Sequence, residues 1–200
     1  MLLFPIGLVF VFFYINIPVL GRTVDVLPDA AGYLLIAVNA WKFREKSRSF
    51  SNLVYLSGIL AVYSTAVRLV MPRGMAGIAM SLLELILQLY LLKWIADGVK
   101  DMEQVVGAHL NAYVLYRWRL WLSWAWTAVF VGVTASALAP ELTGIALAAA
   151  AAWAVLCVLF LVTLFRTGHR YRLLVQYGPP EPDRAGEGSE NGEADEDGDY

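Results

Sequence analysis

The sequence predicts an all-α integral membrane bundle of six transmembrane helices, with both termini on the cytoplasmic face and a disordered acidic tail. Three observations point there. Apolar residues make up 59% of the chain and charged residues 16%, against about 45–50% and about 25% in soluble domains. Six apolar runs lie near 2–20, 28–42, 51–71, 77–95, 119–139 and 144–165, separated by short polar stretches except between the fourth and fifth. With the amino terminus inside, twelve bases from Lys42 to Arg184 fall on the inner side. Only Arg22, Arg68 and Arg73 fall outside, as the positive-inside rule requires.

The first run carries Pro5, Asn16 and Pro18 but neither the basic start nor the small-residue cleavage site of a signal peptide, so it reads as a retained span. Pro28 suits the first turn of the second helix, and Asp29 then lies at the positive end of its dipole. From Pro28 to Lys42 is about 21 Å at the helical rise, short for a hydrocarbon core of about 30 Å. Either Lys42 and Arg44 snorkel, or the turn from Asp25 to Asp29 dips below the outer surface. A basic loop around Arg44 leads to the third and fourth spans, joined by a turn at Pro72 and Gly74.

Residues 98–117 differ. Val99, Met102, Val106, Leu110 and Tyr113 recur at helical spacing among charged residues. They predict an amphipathic helix that either lies on the membrane or prolongs the fourth span. In the sixth span, Gly144 and the alanines from 148 to 152 form the small-residue pattern that lets membrane helices approach closely. Five tryptophans, Trp41, Trp94, Trp118, Trp121 and Trp124, fall at inner helix ends, where an aromatic belt belongs. Residues 181–200 hold nine acids and one base, a net charge of −8, whereas the preceding residues sum to +6. The chain thus divides into a transmembrane domain over 1–177 and a disordered tail over 178–200.

Charges within hydrocarbon cost about 2.5–3.5 kcal/mol on insertion scales and must face the bundle interior or water. On the second span, Asp25, Asp29, Gly32, Ile36 and Asn39 share one helix face. On the third, Ser57, Ser64 and Arg68 do so, and on the fourth, Ser81, Glu84 and Gln88. An Arg68–Glu84 pair is expected if these helices are neighbours. Three inward stripes would enclose an outer-facing polar chamber lined by Asp25, Asp29, Tyr33, Arg68, Glu84 and Gln88. It is either a ligand or ion site, or a set of interhelical bonds that fixes helix register.

Other chemistry has no support. Cys157 cannot form an internal disulfide, and His109 and His169 lack metal-ligand spacing. There is no phosphate-cradling loop, HExxH or GxSxG. No cofactor or nucleic-acid partner is signalled, because helix ends account for the basic residues.

The run Asp25, Val26, Leu27, Pro28, Asp29, Ala30, Ala31, Gly32, Tyr33 resembles a family of small, uncharacterised bacterial polytopic membrane proteins. In that family a D-x-x-P-D-x-x-G-Y hairpin follows the first transmembrane helix. The likeness covers roughly the first third of the chain, and it implies a bacterial plasma-membrane location without implying a reaction. The expected role is therefore a non-catalytic scaffold, regulator or partner-binding component, working in the bilayer with another membrane protein or a second copy. The alternative is a small solute or ion transporter using Asp25, Asp29, Arg68 and Glu84, and a weaker third is a lipid-handling enzyme or lipid sensor at the outer leaflet.

Overall fold

The first apolar run leaves the helical conformation long before its apolar residues end. In the computed structural model, which describes residues 3–13, 16–19, 22–25, 29–70 and 74–177, helix α1 spans only Leu3–Phe12. An antiparallel hairpin follows, with β1 at Asn16–Val19 and β2 at Arg22–Asp25, and Asn16 is paired with Asp25. Helix α1 thus covers only part of the expected span over 2–20, while the chain is all-α as expected apart from this short ribbon. The cause is Pro18, which has no backbone N–H to give a helix and biases Ile17 toward extended backbone. In a two-stranded ribbon both strands are edges, where proline is tolerated.

Helix α2 (Asp29–Trp41) is followed by α3 (Arg48–Val70) and α4 (Met75–Val106). Then come α5 (Ala112–Leu138), a 3-10 turn at Pro140–Leu142, and α6 (Thr143–Tyr177). Each helix packs on its sequence neighbour, and α6 returns to α1, closing a ring. Helix α3, helix α4 and the stretch Pro140–Gln176 are each long and apolar enough to cross a membrane. At 10 and 13 residues, α1 and α2 reach only about 15 and 20 Å.

The outer faces are as apolar as the interior. Ile59 and Val62 of α3, Leu82 and Ile86 of α4, Val131 of α5 and Val155 of α6 are all exposed. A surface of this kind suits lipid tails and not water. Inside, Phe4, Leu8 and Phe12 recur every fourth residue and turn one face of α1 into the bundle. Phe4 stacks on Phe50 at 5.5 Å, while Phe12 meets Trp126 and Trp153 edge-on. Trp126 thus serves the core, whereas Trp41, Trp121 and Trp124 are exposed as belt residues should be.

The amphipathic segment is not one helix. Its first part prolongs α4, which stops at Gly107 in the left-handed conformation, φ 66°, a common helix terminator. Asn111, φ 65°, then starts α5. The break is stitched in place by side chains. The backbone N–H of Leu110 donates to Glu103 Oε1 at 3.0 Å, Thr167 Oγ1 donates to the Leu110 carbonyl at 3.0 Å, and Arg170 donates to Asn111 Oδ1 at 3.0 Å. The small-residue pattern is also placed differently from expectation. Gly144 has open space around it, and the close approach of α5 to α6 falls at Gly132 and Ala146 instead. Gly144, Ala148, Ala151 and Ala152 face outward.

The connection from α2 to α3 is built on Ser47. Its Oγ accepts from the backbone N–H groups of Ser49 and Phe50 at 3.1 and 3.4 Å, capping α3. The same hydroxyl donates to the Asp101 carboxylate of α4, as does Ser49 at 2.9 Å. Ser47→Ala is expected to lower stability by about 1 kcal/mol, the usual worth of such a cap. Titration of the purified protein with SDS in mixed micelles checks this, and an unchanged midpoint would refute it.

Candidate functional site

Asp29, the first residue of α2, lies one turn before Tyr33 on the same helix face. Arg68 stands in the last turn of α3, and its side chain leans back along that helix, away from the helix end. Arg68 Nη2 donates to Asp29 Oδ2 at 2.6 Å, in an ion pair whose side chains are 35% and 16% exposed. Glu84 and Gln88 of α4 are likewise one turn apart. Gln88 Nε2 donates to the Tyr33 hydroxyl at 2.7 Å and lies 3.5 Å from Glu84 Oε1. Tyr33 and Gln88 are buried. Glu84 is within electrostatic reach of both Arg68 and Asp29.

Five of the six expected residues, Asp29, Tyr33, Arg68, Glu84 and Gln88, therefore meet where α2, α3 and α4 adjoin. The sixth, Asp25, ends β2 opposite Asn16, and its side chain lies outside the described residues. The expected Arg68–Glu84 interaction is electrostatic, while the short contact of Arg68 runs to Asp29 and Glu84 lies beside Gln88. The physical reason is the depth at which α2 begins. Asp29 starts that helix close to the end of α3, within reach of the backward-leaning guanidinium, whereas Glu84 sits three turns into α4. Ser57 and Ser64 are buried as their shared stripe requires, but Ser81 is exposed.

The cluster holds two carboxylates, one guanidinium, a phenol and an amide. Such a set can bind helices together, or accept a cation or a protonated amine against its excess acid. It offers no activated nucleophile, and no group of three metal-ligating side chains occurs among the described residues. Cys157 is buried, as expected of a packing residue.

Sequence reasoning missed two basic cavities. One, about 470 Å³, opens between α4 and α5 beside Lys93 and Arg119. The other, about 430 Å³, lies between the ends of α2 and α6 and includes Asn39. The period-7 face that flagged Asn39 gave the right helix face, but not that α6 would bring Arg172 to it. No family model, curated protein or solved structure matches the chain.

Proposed function

We propose that this chain is a multi-pass protein of the bacterial plasma membrane, with six spans and both termini cytoplasmic. In this reading it is a non-catalytic scaffold or regulator that acts by contact with a membrane partner or a second copy. The observation that carries the reading is the Asp29–Arg68 contact at 2.6 Å beside the Tyr33–Gln88 bond. Groups already engaged with one another hold α2, α3 and α4 in register, which is the structural use of intramembrane charge. The outward row Gly144, Ala148 and Ala152 on α6 supports a helix partner, because small side chains permit close approach. The likeness of residues 25–36 to small bacterial membrane proteins supports the location, and the inner bases support the orientation.

A crosslinker applied to native membranes, before mild solubilisation, is expected to recover a second chain in fixed ratio. Recovery of single, uncrosslinked copies alone would overturn the reading. A reporter placed in the loop at Arg44 should be cytoplasmic.

One observation favours transport as a second reading. Asp29 and Glu84 share a single described arginine, which leaves the cluster acidic and suited to a small cation or protonated solute, with Asp25 as a further carboxylate. Under that reading Glu84→Gln abolishes uptake at unchanged protein level. Under the first, it changes protein level and no uptake is found in the parent.

A further inference from the structure

Asn39 is 2% exposed, yet its Nδ2 has no hydrogen-bond acceptor. A buried donor left unmade costs about 1–3 kcal/mol, and in a folded chain it calls for a partner. Asn39 lines the cavity of about 430 Å³ between the last turn of α2 and the last turns of α6, with Lys42, Tyr171, Arg172, Val175 and Gln176 among its other walls. No carboxylate lines this cavity. Among the described residues neither Lys42 nor Arg172 has an ion-pair partner. The cavity therefore carries two positive charges and no negative one. What fits it is an anion with several oxygens.

Its depth narrows the source. Gly168, another wall of the cavity, stands about 38 Å along α6 from Thr143 at the helical rise. A hydrocarbon core is about 30 Å thick, and about 40–45 Å with headgroups. The cavity thus lies in the headgroup layer. Trp41, 56% exposed with Arg44 stacked 3.6 Å over its ring, marks the same level. Leading away from it toward the bilayer centre, Val38 and Leu34 expose one apolar face of α2, at 54% and 55%. Acyl chains fit that face while a phosphate fills the cavity.

We propose that the cavity binds the phosphate of an anionic phospholipid from the adjoining leaflet. A rotation of the Asn39 amide brings its Nδ2, otherwise sealed from solvent, onto a phosphate oxygen, and Lys42 and Arg172 balance its charge, as basic interhelical pockets at a cytoplasmic face do for anionic headgroups. The site rests on α6 crossing the membrane and is independent of the role given to Asp29 and Arg68.

The test reconstitutes the full chain in equimolar phosphatidylglycerol and phosphatidylcholine and counts retained lipids by native mass spectrometry. The parent protein is expected to retain phosphatidylglycerol several-fold over phosphatidylcholine. Asn39→Leu should bring that ratio to parity without lowering the unfolding midpoint, because it removes an unpaired donor at similar volume. Lys42→Gln combined with Arg172→Gln, both at exposed positions, should do the same and decides the matter if Asn39→Leu does not fold. Parity in the parent protein, or undiminished enrichment in the variants, would overturn the proposal. Release of the lipid by millimolar inorganic phosphate would assign the cavity to a soluble anion and overturn the lipid.

Discussion

Replacing Gly32 with valine should separate α1 from α2 and cost about 1–3 kcal/mol, the range of overpacked interiors. A Cβ at Gly32 would lie 2.6 Å from the Gly7 carbonyl oxygen, 2.8 Å from Phe10 Cβ and 2.9 Å from Val11 Cγ2. A Cβ at Gly7 would meet the Gly32 carbonyl oxygen at 2.8 Å. The two helices therefore cross backbone to backbone, and at Gly32 the nearest obstacle is a carbonyl oxygen that no side-chain rotation moves. Because α1 also closes the ring against α6, its displacement pulls Phe12 from Trp126 and Trp153 as well. Gly58→Ala is the control. Nothing lies within 4 Å of a Cβ there, and alanine is the better helix former by up to about 1 kcal/mol. The midpoint of SDS-induced unfolding should fall for Gly32→Val and hold or rise for Gly58→Ala. Equal midpoints would remove the close crossing from the fold.

The stability of that crossing bears on what the sequence discloses. A span of apolar residues is legible because the bilayer sets its length, so the third, fourth and sixth runs correspond to α3, α4 and α6. The first run deceived for a physical reason. Hydropathy measures transfer to lipid and is blind to backbone conformation, and residues 16–19 are apolar enough for either a helix or a hairpin. Pro18 holds the information, because it has no backbone N–H to continue a helix. Gly107 and Asn111 are a similar case, since period-3.6 spacing continues across a break that only left-handed backbone makes. The polar stripes were legible because one helix face follows from spacing alone. Which acid Arg68 would choose was not, since that depends on where α2 begins relative to α3. That the alanine row of α6 would face outward was not legible either, because small residues suit an internal crossing and a partner surface equally well.

The Asp29–Arg68 pair separates the two readings of the polar cluster through a double-mutant cycle. Removing one member of a fully buried ion pair costs about 3–5 kcal/mol. Arg68 is 35% exposed, so solvent screening reduces the expected cost to about 1–3 kcal/mol for Asp29→Asn or Arg68→Gln alone. Asp29→Asn removes the carboxylate that the guanidinium contacts at 2.6 Å. Arg68→Gln leaves Asp29 and Glu84 within reach of one another with their common cation gone, so it should be the costlier change. The double variant removes both problems at once, and its cost should fall short of the sum of the two by about 0.5–3 kcal/mol, the range for residues in contact. Tyr33→Phe adds a second reference, for it deletes the hydroxyl that accepts from Gln88 at 2.7 Å without touching the ion pair. Its effect should therefore add to that of Asp29→Asn more nearly than the effect of Arg68→Gln does. Unfolding midpoints in mixed micelles measure every corner of the cycle. A coupling near zero, with each single variant as stable as the parent, would mean that the pair does not hold α2 to α3. The two carboxylates would then be left with a ligand as their reason for lying in the membrane, and the transport reading would displace the scaffold.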